Sequence, residues 1–194
     1  MFAENGEKVF MHVYWFQDSK IGHLNQVQAL LDELSKENEL AITKIQCPER
    51  SILNWLKSFL PSAPIENQKD GVTLLIGAGH SAYPQILKTQ QTLKKTANLL
   101  SVAILKPSFN ANAFDLICAP EHDYPSTKKP NNVHAFKGSL ATTSLIEPTP
   151  NKGIIGLGGS SKHYEFDDEL VSKQIEYVLT THPHHHFHIY NSRR

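Results

Sequence analysis

The sequence predicts an α/β protein built on a doubly wound, mostly parallel sheet, and three observations predict it. Short apolar runs alternate with segments of helical periodicity, beginning with Val9–Phe16 and the stripe Leu24, Val27, Leu30, Leu31 and Leu34. That alternation is the signature of βαβ units. Glycine-containing junctions follow the apolar runs at Ile21–Gln26 (IGHLNQ), Gly77–Ser81 (GAGHS) and Gly158–Ser161 (GGSS). In such sheets, ligands bind at the carboxyl ends of the strands, so the three junctions point to one site. The chain of 194 residues, 40% of them hydrophobic and 20% charged, is long enough for one good core with a smaller portion added.

Val9–Phe16 reads as a buried parallel strand, and the helix after it turns Asp32, Glu33 and Lys36 to solvent. Leu40–Gln46 is the second strand, Ile52–Leu60 a short amphipathic helix, and Pro61–Asp70 a polar connection. Val72–Ile76 is the third strand. Pro84 suits the first turn of the helix that follows, because its missing N–H would be unpaired there. Leu99–Leu105, Asp115–Ala119 and Val133–Phe136 supply three further strands. The segment Glu147–Lys152 (EPTPNK), with two prolines, is the linker. Beyond it come a strand from Gly153, a glycine turn, a helix over Asp168–Leu179 and a strand over Phe187–Tyr190, which make a single βαβ unit. The division expected is therefore 1–146 for one domain and 153–194 for the start of a second.

Lysine plus arginine equals aspartate plus glutamate at 19 each, so no net charge recruits nucleic acid. Any anion site must be local. Cys47 and Cys118 form neither a disulfide framework nor a CxxC metal pair, which fits a reducing compartment. No window approaches the roughly 20 apolar residues of a membrane span, and the N-terminus lacks a basic region ahead of an apolar core. The expectation is a cytoplasmic protein, with peripheral contact at the inner membrane left open.

Gly22, His23, Asn25 and Gln26 offer close backbone approach, a group that moves protons near neutral pH, and two amides. The competing reading makes Gly22 a turn residue and His23 a helix cap. Gly77, Gly79, His80 and Ser81 form either a tight turn with a serine cap or a ligand contact. Glu121, His122 and Asp123 stand side by side after a strand, where a carboxylate could orient a histidine or a sugar hydroxyl; adjacent residues seldom converge on one atom. Gly158, Gly159, Ser160 and Ser161 read either as an anion-binding turn that hands over to a helical pattern or as a glycine bend with Ser160 or Ser161 as a cap. Ser192, Arg193 and Arg194 follow the last strand, where paired guanidinium groups suit phosphate or carboxylate; the competing reading is two charges with no partner. His182, His184, His185, His186 and His188 form a dense tract with no cysteine or carboxylate at zinc-finger spacing, so no metal site is expected.

Taken in order, the motifs DSKIGHLNQ, LIGAGH, FDLICAPEHD, NNV with a following glycine, GLGGSSKHYEFDDE and NSRR resemble the family of mitochondrial-fission ELM proteins and their bacterial homologues. The likeness runs from Val9 to Arg194. It implies a GT-B arrangement, in which two Rossmann-like domains face a cleft; bacterial members are described as glycosyltransferases, and plant members recruit a dynamin-like protein. IGHLNQ and LIGAGHSAYP also resemble the acceptor-side glycine loops of the lipid-linked glucosaminyltransferase that completes the cell-wall precursor. By that likeness His23 is the acceptor-side base, Gly77, Gly79 and His80 line the acceptor cleft, and Gly158–Ser161 with Arg193 and Arg194 face the donor diphosphate.

The resemblance implies a nucleotide sugar as substrate rather than a resident cofactor, an acceptor of the lipid-linked or cell-envelope kind, and no tightly bound metal. Its other implication is a non-catalytic module that binds a protein partner. The family pattern continues past the SRR motif, so the 194 residues alone are expected to lack transferase activity.

Overall fold

The computed structural model describes residues 8–48, 71–93, 98–124, 129–143, 146–160 and 165–191. The chain forms two compact units, Met1–Thr143 and Ser144–Arg194. The expected helix Ile52–Leu60 and the connection Pro61–Asp70 lie outside the described residues.

The first unit is a six-stranded sheet of β1 (Val9–Gln17), β2 (Asn38–Gln46), β3 (Val72–Ala78), β4 (Leu99–Ile104), β5 (Leu116–Pro120) and β6 (Val133–Phe136). The strands lie in the order β2-β1-β3-β4-β5-β6, with every neighbouring pair parallel. Helix α1 (Ile21–Glu37) links β1 to β2, and α2 (Ala82–Leu93) links β3 to β4. The chain winds one way from β1 and the other way from β3, so the direction reverses between these neighbours. Their C-terminal ends therefore flank the crevice that such a reversal opens. This is the expected Rossmann-like, doubly wound α/β architecture.

Alternation along the strands explains why they read as continuous apolar runs. Val13, Trp15, Leu74, Ile76, Val102 and Ile104 form one cluster with Val27 and Leu31 of α1. Tyr14, Phe16, Leu75 and Ala103 form the other with Ala82, Tyr83, Ile86 and Leu87 of α2. Both faces of β1, β3 and β4 are covered, which removes the polar alternation of a half-exposed strand. Gly77 is a packing requirement: a Cβ there would stand 2.7 Å from the Phe16 carbonyl oxygen and 3.0 Å from Ala82 Cβ.

Strand β4 ends one residue earlier than the sequence predicts, because Leu105 adopts a left-handed conformation with φ 70°. Its N–H donates to the Cys118 carbonyl at 2.8 Å, and the Tyr83 hydroxyl donates to the Ile104 carbonyl at 2.7 Å. These bonds hold a backbone state that costs a residue with a side chain about 1–3 kcal/mol. At the opposite edge, Asp115 Oδ2 accepts from the Ser101 amide at 2.8 Å, the Ser101 hydroxyl at 2.7 Å and Gln90 Nε2 at 3.2 Å. That network ties β4 to α2 away from the crevice.

The second unit is one βαβ unit: β7 (Lys152–Leu157), α3 (Asp168–Thr181) and β8 (His186–Asn191), with its two strands parallel. No residue of α3 is buried. Among the described residues, no helix is long and apolar enough to cross a membrane.

Candidate functional site

The site grows from the end of β1. Asp18 is the first residue past the strand, and the Lys20 amide donates to its Oδ1 at 3.1 Å. Helix α1 starts at Ile21, so Ile21–Gln26 is helical rather than the turn read from the sequence; the connection is only Asp18 to Lys20. Gly22 has no heavy atom within 4 Å of a built Cβ and therefore serves no close approach within the chain. His23, the third helical residue, places Nδ1 2.6 Å from Asp18 Oδ2. It is not a cap, since its ring bonds a side chain rather than a free amide. The His23 side chain is 19% exposed and that of Asp18 only 7%. Asn25 is exposed, while Gln26 reaches back toward the Gly22 carbonyl at 3.4 Å and keeps its Oε1 buried without a hydrogen-bond partner.

The end of β3 closes over this pair. Gly79 has φ 95°, and a Cβ there would overlap Asp18 Oδ2 and lie 2.5 Å from His23 Nδ1. Only glycine satisfies both the left-handed conformation and that approach. Its carbonyl accepts the Ala82 and Tyr83 amides at 3.1 and 3.3 Å, which starts α2. His80 is exposed, with Nδ1 3.0 Å from the Ser108 hydroxyl, and Ser81 is half-buried in the turn. The β1 and β3 connections thus meet at the sheet edge.

Burial pushes the Tyr83 phenol up to about 12; the Gly79 backbone opposes this through a hydrogen bond, and the Asp18 charge adds to it. Burial, with Asp18 second, likewise pushes the Cys47 thiol at the end of β2 up to about 12. A thiol held protonated is a poor nucleophile at neutral pH.

Farther along the same edge, Glu121, His122 and Asp123 form a short 3-10 helix after β5. Glu121 and His122 are exposed, and His122 Nε2 stands 3.7 Å from Asp123 Oδ1. Lys106 from the β4 connection donates to the Asp123 carbonyl at 2.6 Å and lies 4.9 Å above the Tyr124 ring. Burial, then the Asp123 charge, raises the Tyr124 phenol, whose buried hydroxyl has no hydrogen-bond partner among the described residues.

In the second unit, Gly158, Gly159 and Ser160 follow β7, and built Cβ atoms on either glycine meet nothing within 4 Å. The Ser160 hydroxyl accepts the Phe166 amide at 3.2 Å, and α3 begins at Asp168. Asp167 caps α3 by accepting the Leu170 amide at 2.9 Å, with Asp168 and Glu169 in the first turn. These carboxylates occupy the positive end of the helix, which disfavours an anion at the α3 N-terminus itself. Ile155, Leu157, Phe166, Val171 and Ile175 contribute to a mainly apolar groove of about 300 Å³. Ser161, Ser192, Arg193 and Arg194 lie outside the described residues. Among the described residues, no group of three or more histidine, cysteine, aspartate or glutamate side chains is placed to hold a metal ion.

Sequence reading passed over Asp18, Lys106 and Ser108. The signal for Asp18 was its place directly after a strand and five residues before a histidine.

The sheet order and the polar edge at its reversal define a doubly wound α/β protein, the class in which ligands bind at the carboxyl ends of the strands beside the reversal. The chain belongs to the family described as Mitochondrial fission ELM1, whose sequence model matches residues 21–194. No curated protein and no solved structure matches it.

Proposed function

We propose that the chain carries the acceptor side of a GT-B-type glycosyltransferase that takes a nucleotide sugar as donor and a hydroxyl-bearing acceptor of the lipid-linked or cell-envelope kind. The observation that carries this reading is His23, hydrogen-bonded to a carboxylate at the β1 strand end and bordered by Gly79 of the neighbouring connection. A histidine in that position suits removal of the acceptor hydroxyl proton. His80, Ser108, Glu121 and Asp123 extend the polar edge for further hydroxyl contacts. Gly158 to Ser161 and the arginines at 193 and 194 are proposed to offset the charge of the leaving diphosphate.

A panel of nucleotide sugars titrated against the longest available version of the protein is the direct test, with binding of at least one expected. In an intact family member that transfers sugar, replacing the residue equivalent to His23 by alanine is expected to lower turnover on the order of 100-fold while the fold is retained. Unchanged turnover would sink the assignment.

The second reading, a non-catalytic module that recruits a protein partner, draws support from apolar exposure in the second unit. Ile154 is 75% exposed and Tyr177 70% exposed. On that reading, Ile154→Lys abolishes partner binding, and no nucleotide sugar binds.

A further inference from the structure

We infer that Asp18 is the positioning residue of His23, and that the backbone of Gly79 shields their hydrogen bond, so that the neutral ring carries its proton on Nδ1 and presents Nε2 as the working nitrogen. The chemical use of Nε2 rests on the proposed transferase reading; the positioning rests on geometry alone.

A carboxylate as buried as Asp18 must have its oxygens satisfied. The Lys20 amide serves Oδ1, and the donor within reach of Oδ2 is His23 Nδ1 at 2.6 Å. That distance lies in the range of a charge-assisted hydrogen bond. An ionised carboxylate only accepts, so the neutral imidazole must place its proton on Nδ1. The lone pair then sits on Nε2, for which the described residues provide no hydrogen-bond partner. Gly79 completes the arrangement. Its α-carbon lies so close that even a methyl group would overlap Asp18 Oδ2 and crowd His23 Nδ1, which leaves little room for water beside the bond.

In the transfer step, the acceptor O–H bond breaks and its proton goes to Nε2, while Asp18 stabilises the imidazolium. The acceptor oxygen bonds the anomeric carbon, and the bond from that carbon to the diphosphate breaks, the leaving group keeping the electron pair. Protons and charges balance without any further reactant.

The test is a long-range ¹H–¹⁵N correlation spectrum of the histidine rings of the full ¹⁵N-labelled chain at about pH 9, above the usual imidazole range. The expected result is His23 protonated at Nδ1 with Nε2 unprotonated. Asp18→Asn can donate its own N–H to Nδ1 and so moves the proton to Nε2, while Asp18→Glu restores the Nδ1–H form in part. Gly79→Ala separates the pair and removes the slowly exchanging Nδ1 proton. The His80 signals report that each variant is folded, and the wild-type spectrum decides even if a variant is not. A wild-type ring protonated at Nε2, or a tautomer unmoved by Asp18→Asn, overturns the inference. In a transferring family member, the equivalent Asp→Asn change is expected to lower kcat about 10²–10⁴-fold with little change in KM, as in other carboxylate–histidine pairs. An Nδ1–H tautomer without any sugar transfer supports the positioning and counts against the transferase reading alone.

Discussion

Tyr83 fixes the end of β4 through one hydroxyl. Replacing it by phenylalanine keeps the ring against Phe114 but leaves the Ile104 carbonyl without that donor. Loss of one buried hydrogen bond costs about 1–2 kcal/mol, and the left-handed Leu105 loses a restraint. Urea unfolding of Tyr83→Phe is expected to show a lower midpoint at an unchanged m-value. Tyr83 and Cys47 also set an alkaline limit. Both have folded-state values raised to about 12, so the folded protein holds protons that the unfolded chain releases nearer 9 to 10. Stability contributed by these neutral groups is full below about pH 9 and is lost as pH rises toward 12. Thermal melts across that window are expected to fall steadily, and Cys47→Ser to remove the earlier part of the decline. At this scale His23 was legible as a candidate site residue because histidine after a strand is chemically conspicuous. Asp18 was not, since an acidic residue leaving a strand is ordinary turn chemistry. Its pairing depends on α1 starting at Ile21, where the sequence had been read as a turn.

Helix α1 was the most legible element, because its stripe had one place to go. Val27 and Leu31 are each 1% exposed, and Leu24, Leu30 and Leu34 pack around the same cluster. Leu31→Ala is expected to cost about 2–5 kcal/mol through lost burial and the cavity left beneath the sheet. Denaturant unfolding measures it, and a cost under about 1 kcal/mol would mean that α1 is not seated on β1 and β3. Strand existence was legible from apolar runs, whereas strand ends followed local chemistry that composition hides. β4 stops at Ile104 because Leu105 turns left-handed, whereas α3 starts at Asp168 where the sequence places it, with Asp167 accepting the Leu170 amide as its cap.

The two units differ in how much apolar surface each buries, which sets where the molecule opens first. In the first, strands β1, β3 and β4 are covered by α1 and α2, and Leu75, Ile76 and Ile104 are fully buried. In the second, β7 and β8 pair only with each other among the described residues, α3 buries no residue, and Ile154, Ile189 and Tyr190 are 75%, 52% and 59% exposed. A βαβ unit this exposed gains little from hydrophobic burial, at about 25 cal/mol per Å², against the entropy of ordering its backbone. Its amides therefore open by local fluctuation, while those of β1 and β3 exchange only through unfolding that breaks the core. Hydrogen exchange of the full chain is expected to show markedly weaker protection over Lys152–Leu157 and His186–Asn191 than over Val9–Gln17 and Val72–Ala78. Equal protection in both units would mean that the second is held by contacts beyond its own strands and helix. In that case a partner or ligand that shields Ile154 and Tyr190 would add no further protection, whereas the exposed state predicts that it would.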